Sequence, residues 1–243
     1  MEILILRFDA PLMSFGGVMV DQHGPTERFP GLSLLTGLLG NALGLRHADA
    51  QALERLQDRL EYAARWDVPP QPLVDYHTVD LNQMKMREAG WTTRGRPEHR
   101  EGGPAARFGT HQRYRHYWVN GVMTVALTLE GEEAPTVALL AQALRYPARP
   151  LFLGRKTCLP AMPIVLDQVE AQDVLSALRM VPREVRRGAP SLSPSLEACW
   201  PARLGLEGQA HEVTVYDRRD WRNQTVAGRR PEAQGLLTLE EPA

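Results

Sequence analysis

Residues 2–8 (EILILRF) form an unbroken apolar run, the pattern of a strand covered on both faces. A loop with Pro11, Gly16, Gly17, Gly24, Pro25 and Pro30 follows. Apolar residues then recur at helical spacing over 32–45 (LSLLTGLLGNALGL), with Ser33 as the N-cap. Gly37, Gly40 and Gly44 each lower the propensity of that helix by ~1 kcal/mol relative to Ala. Small residues at that spacing imply close packing against it, by the underlying sheet or a partner subunit. Residues 49–56 read as a second short helix and 60–68 as a strand. Pro69, Pro70 and Pro72 interrupt the chain, and a long polar segment runs to Trp118.

Regular patterns resume with a strand at 121–129 (GVMTVALTL) and an amphipathic helix at 136–144. Segments 150–159 and 162–169 suit a strand pair, or one strand interrupted by a loop, and 173–178 suits a short helix. Beyond Pro182 only 212–216 (EVTVY) carries a strand signal, and the polar tail from Gly228 is expected to fray. Without insertions the order is strand, helix, strand, strand, helix, strand, which is the split βαβ or ferredoxin-like arrangement. The long segment sits between its second and third strands and is expected to project as a hairpin. A structureless loop of that length inside a domain is unusual unless it is functional.

Composition narrows the class without naming a function. A chain of 243 residues buries a core without staples, and Cys158 and Cys199 form neither a disulfide framework nor a metal-ligand pair. No apolar run approaches the ~20 residues that span a bilayer, and no leader-like segment opens the chain, so the expected location is cytoplasmic with no membrane partner. Net charge is −1, yet all but two of the 28 basic residues are arginines, Lys85 and Lys156 being the exceptions. A GC-rich or heat-adapted host explains that bias, and so does phosphate and base recognition by guanidinium groups.

Charge distribution then singles out the insertion. From Lys85 to Trp118 eight bases face three acids, a surplus of five in a chain that is slightly acidic overall. Trp91, Phe108, Tyr114, Tyr117 and Trp118 are interleaved, with His99, His111 and His116. Cations that neutralise phosphate, mixed with rings on which bases stack, suit single-stranded nucleic acid. The alternative is a solvated hairpin whose charges serve solubility. The histidines lack ligand spacing, so no metal and no cofactor is expected. Tyr76, His77 and His111 could supply general acid and base for RNA cleavage. The turn LGRKT at 153–157 lacks the upstream glycine of a P-loop, although it could present Arg155 and Lys156 to a phosphate.

Several blocks together resemble the CasD family, a subunit of Cascade, the type I-E CRISPR effector complex. They are LILRFDAPLMSFG, GPTERFPGLSLLTGLLGNALGL, VDYHTV, FGTHQRYRHYWVNGVMTVAL and LFLGRKTC, in family order from residue 3 to about 165. The resemblance implies an α+β fold with a modified ferredoxin-like core (RAMP or RRM-like), a long β-hairpin thumb at about 74–118 and a smaller C-terminal β-rich region. Residues 1–170 would form the core with its insertion, and 171–243 the β-rich region with a frayed tail.

The implied role is non-catalytic: capping the 5′ handle of the CRISPR RNA in antiviral defence, beside the backbone subunit CasC and the large subunit CasA. A related type I-C branch is a metal-independent endoribonuclease, which makes RNA cleavage the alternative. Carried over by block, the implied RNA contacts are Arg28, Tyr76, His77, Arg107, His111, Arg113, Arg115, Arg155 and Lys156. The tract 94–108 is longer and richer in Gly and Pro than the family pattern. In the structural alternative Arg28 pairs with Glu27 or Asp21, Tyr76 packs in the core and His77 caps a turn.

Overall fold

Both faces of β1 (Glu2–Asp9) are covered, as its unbroken apolar run requires: Ile3, Leu4, Ile5 and Leu6 are fully buried. The computed structural model describes residues 1–80, 90–91, 97–98, 110–186 and 195–239. Two short strands follow, β2 (Leu12–Met13) and β3 (His23–Gly24), then helices α1 (Leu32–Leu43) and α2 (Ala50–Arg59). Next come β4 (Leu60–Val68), β5 (Gln71–Asp80), the small pair β6 (Gly90–Trp91) and β7 (Pro97–Glu98), β8 (Thr110–Val119) and β9 (Val122–Leu129). The chain continues through α3 (Val137–Arg145), β10 (Val165–Glu170), α4 (Val174–Met180), β11 (Ser195–Pro201), β12 (His211–Asp220) and β13 (Thr225–Thr238). Segment 150–159, a candidate strand by pattern, is irregular.

Seven strands form one antiparallel sheet in the order β10–β1–β9–β4–β11–β13–β12. One face carries Leu4, Leu6 and Phe8 and packs against α1 and α3; the other carries Ile3 and Ile5 and packs against α4 and Trp200. Among the described residues no helix is long and apolar enough to cross a membrane. Both cysteines are free and buried.

Three expectations are corrected. Ser33 does not cap α1: the N-cap is Gly31, and the Leu32 N–H donates instead to Asp217 Oδ2 at 2.8 Å. Of the small residues, Gly40 admits another helix, since a Cβ there would stand 2.6 Å from Leu53 Cδ2 of α2, while Gly37 faces Trp221, just past β12. The segment from Gly228 does not fray. It belongs to β13, an inner strand whose Ala233 and Leu237 are buried. Pro231 lies just past the end of the β11 pairing at Pro201↔Glu232 and opposite Thr214 of β12. The C-terminal strands extend the first sheet, through β11 against β4, and do not form a sheet of their own.

Two polar networks fasten the layers. Arg65 and Asp67 of β4, both without solvent exposure, pair at 2.7 Å, and Asp67 Oδ2 accepts from Thr124 Oγ1 at 2.7 Å and from the Glu184 N–H at 3.0 Å. Burial lowers the Arg65 guanidinium pKa from its ordinary value, while Asp67 beside it acts in the opposite direction. On the other face Arg230 Nη2 donates to Asp217, Glu232 and the Tyr62 hydroxyl. Tyr62 in turn donates to the Pro30 carbonyl at 2.6 Å. Burial pushes the Tyr62 phenol well above its ordinary value, so it stays a proton donor to the loop that leads into α1.

Candidate nucleic-acid interface

Beyond the seven-stranded sheet, β5 and β8 pair antiparallel without a register shift from Gln71↔Val119 to Asp80↔Thr110. The other edge of β8 takes β2 antiparallel at Trp118 and Val119, and β3 parallel, with His23 opposite Tyr114 and Gly24 opposite Arg115. The result is a narrow ribbon. Side chains alternate across it and cross-strand partners share a face, so the register sorts the residues. One face carries Val74, Tyr76, His23, Tyr114 and His116; the other carries Asp75, His77, Arg113 and Arg115.

The first face is a row of rings. Tyr76 and Tyr114 lie 5.0 Å apart between centroids, His23 stacks on Tyr114 at 4.9 Å and 10°, and His116 stands 6.3 Å from His23. Tyr76 is 51% exposed and His23 is exposed, so the row is open to a flat ligand. On the second face His77 Nε2 is bonded to Asp75 Oδ2 at 2.6 Å. Arg113 spends Nη1 on the Asp21 carbonyl at 2.9 Å. Arg115 is exposed and has no partner among the described residues.

The LGRKT turn delivers its two cations differently. Gly154 adopts φ +105°, and a Cβ there would fall 1.6 Å from the Ser14 carbonyl oxygen, so only glycine fits. Arg155 turns inward: Nη1 donates to the His116 carbonyl at 3.0 Å, Nη2 to the Gly24 carbonyl at 2.8 Å, and its Cζ lies 4.8 Å from the Tyr117 ring centroid. It ties β3 to β8 beneath the ring row. Lys156 points outward, exposed and without a partner among the described residues.

Arg28 is likewise engaged. Its Nε donates to Glu197 Oε1 at 2.6 Å, Nη2 pairs with the other carboxylate oxygen, and the guanidinium lies 4.9 Å from Trp118 and 5.2 Å from Trp66. Its partner is therefore Glu197, and neither Glu27 nor Asp21. The structural alternatives for two other residues also fail: Tyr76 is outside the core, and His77 pairs with a carboxylate within its own strand. Tyr117, counted by sequence among rings available for stacking, is buried at 2% exposure, and the Trp118 indole donates to the Glu27 carbonyl at 2.7 Å. Arg107, with Arg94, Arg96 and Arg100, lies outside the described residues. His111 is placed in β8 opposite Val79, and its side chain lies outside them.

The sequence counts Tyr114 and His116 among the aromatic and histidine residues of the insertion without singling them out as contacts, and it does not point to His23. Spacing by two in β8 (Gln112, Tyr114, His116, Trp118) could have placed two of them on one face once the strand was assumed. Nothing local flags His23, which reaches the row only through a two-residue parallel pairing. Among the described residues no group of three His, Cys, Asp or Glu could hold a metal ion.

Comparison with known proteins adds kinship to this geometry. The family model for CRISPR-associated protein (Cas_Cas5) matches residues 3–231. The CRISPR system Cascade subunit CasD of Escherichia coli (strain K12) is 32% identical over 183 residues, spanning 72% of this chain and 75% of that one. A solved chain of a CRISPR RNA-guided surveillance complex superposes with a TM-score of 0.69 at 25% identity, covering 99% of this chain and 91% of that chain. A crystallised Cas protein superposes with a TM-score of 0.62 at 24% identity, covering 97% and 95%; that likeness is one of fold.

Proposed function

The chain belongs to the Cas5 (CasD) family of CRISPR-associated proteins, and from that premise we propose that it is a Cascade subunit that grips and caps the 5′ handle of the CRISPR RNA. One observation carries the reading: a row of four rings on the β5–β8–β3 ribbon, exposed at Tyr76 and His23, with Arg115 on the ribbon's other face and Lys156 in the LGRKT turn left unpartnered among the described residues. Rings of this kind stack unpaired bases, and free cations neutralise phosphates, so the ribbon suits a single strand whose bases are splayed. Tyr76, His77, Arg113, Arg115 and Lys156 are the candidate contacts among the described residues named from sequence, joined by His23, Tyr114 and His116. Arg28 and Arg155 serve by holding the ribbon to the core. Roles for Arg107 and His111 are carried by the family resemblance alone.

The strand order β10–β1–β9–β4, joined through α1 and α3, supports reading the first 170 residues as a ferredoxin-like core. The β5–β8 pair would then be the root of the thumb, and 171–243 a β-rich extension of the core sheet. Kinship with CasD supports neighbours of the CasC and CasA kinds in the assembled complex.

Binding without cleavage is the primary reading. His77, oriented by Asp75 at 2.6 Å, favours a second: an imidazole held by a carboxylate is the arrangement of a general base, so a metal-independent endoribonuclease is the rival. Both are tested with cognate repeat RNA. Arg113→Ala combined with Arg115→Ala should weaken binding and reduce the salt slope by about one to two counterions. Unchanged affinity across the salt titration sinks the ribbon as the grip. In the same reactions with EDTA the RNA should stay intact; specific cleavage that His77→Ala abolishes would install the endoribonuclease instead.

A further inference from the structure

The loop between β2 and β3 presents three consecutive apolar side chains to solvent, Val18, Met19 and Val20, at 74%, 66% and 61% exposure. A slack loop would fold such residues down onto the protein. This one is fastened on both arms. At its neck the Phe15 N–H donates to Thr26 Oγ1 at 2.8 Å and the Glu27 N–H to the Gly16 carbonyl at 2.9 Å. Nearer the tip Val20 and His23 exchange both backbone bonds, at 3.2 and 2.9 Å, and the Tyr114 N–H donates to the Gln22 carbonyl at 2.8 Å. Asp21 turns the chain at φ +50°, a left-handed conformation that a short polar residue tolerates, and Arg113 holds its carbonyl.

The place of this tip says what it meets. The backbone bridge Val20↔His23 pairs Val20 with the residue that carries the last stacked ring, so the tip adjoins the end of the row Tyr76, Tyr114, His23. Arg113 flanks the same tip with a cation. An apolar tip running on from stacked rings, with a guanidinium beside it, fits the flat apolar face of a base attached to a phosphate chain. A protein partner would have to cover the cation as well.

We propose that Val18, Met19 and Val20 form an apolar wedge that lodges against unstacked bases of the single-stranded RNA and breaks its base stack at the end of the ring row. Apolar side chains replace a neighbouring base in this way where a nucleic acid is kinked. The inference rests on the RNA-binding reading above. It adds a function to a loop that reading does not use.

The test uses the full chain with Val18→Ser, Met19→Ser and Val20→Ser combined, and cognate repeat RNA carrying 2-aminopurine at successive handle positions. The three side chains point into solvent, so melting temperature should be unchanged. The parent protein should raise fluorescence at one position; the triple variant should lack that rise and bind about tenfold more weakly. Its salt slope should match the parent's, because no charge is removed. A variant that keeps both the fluorescence rise and the affinity overturns the wedge while leaving the RNA-binding reading intact. A variant that binds RNA normally yet fails to join its partner subunits overturns it in favour of a protein contact. A parent that binds no RNA overturns both.

Discussion

The seven-stranded sheet and the β5–β8–β3 ribbon are built from the same extended backbone and dispose of their polar groups in opposite ways. In the sheet Arg65, Asp67 and Thr124 are fully buried and satisfy one another. In the ribbon Tyr76 and Arg115 stand in solvent, and Arg115 has no partner among the described residues. A buried charge that lacks a partner costs several kcal/mol, and Arg65 is paired with Asp67 accordingly. The ribbon keeps its cation cheaply because water solvates it until a ligand arrives. At the seam, Arg28 and Arg155 belong to the sheet's economy: their donors go to Glu197, His116 and Gly24. Arginine content alone therefore does not separate engaged guanidinium groups from free ones.

The contrast can be broken at four points. The largest expected effect is in the sheet, where Asp67→Ala strands Arg65 in the interior and should cost about 3–5 kcal/mol in urea denaturation. A cost below about 1 kcal/mol would mean that water reaches Arg65, and the two regions would not differ in kind. In the ribbon, Tyr114→Ala should leave the urea midpoint nearly unmoved and weaken RNA binding by about 1–3 kcal/mol, since it removes the ring between His23 and Tyr76. Full RNA affinity in that variant would disqualify the ring row.

The seam is separated from the free surface by a paired measurement. Arg155→Lys should lose stability by about 1–2 kcal/mol, because one ammonium cannot reach two carbonyls and stack on Tyr117, and should keep the salt slope of RNA binding. Arg115→Ala, the smallest change, should shift stability by no more than about 0.5 kcal/mol and reduce the slope by about one. Equal slope changes in the two variants would erase the distinction between clamp and contact.

Strong periodicity made β1, β4, β9 and α3 readable, and the position of the insertion between β4 and β9 followed from them. Thr136 and Asp173 behave as local chemistry dictates, accepting from Leu139 and Ser176 at the starts of α3 and α4. The failures share one cause, which is that the deciding partner is remote. Ser33 looked like the cap of α1 because Asp217 is far away in the chain. The strand β13 contains Gly228, Pro231 and Gly235 and reads as a tail until β11 and β12 are placed on either side of it. The contacts of Arg155, the carbonyls of His116 and Gly24, lie on other strands and are equally invisible in its local sequence. Charge and aromatic content singled out the candidate interface; only the register of β8 divides it into faces.

The bond from Leu32 to Asp217 spans 185 positions. At ordinary rates of synthesis, about 5–20 residues per second, the N-terminus of α1 waits roughly 10–40 seconds on the ribosome for the carboxylate that receives its first amide. A shorter wait leaves the edge of β4 unpaired until β11 emerges. The chain before β11, about four fifths of its length, thus presents an open strand edge and an uncapped helix together, and the β11–β13 segment closes both. Truncation before β11 should therefore yield an aggregation-prone fragment.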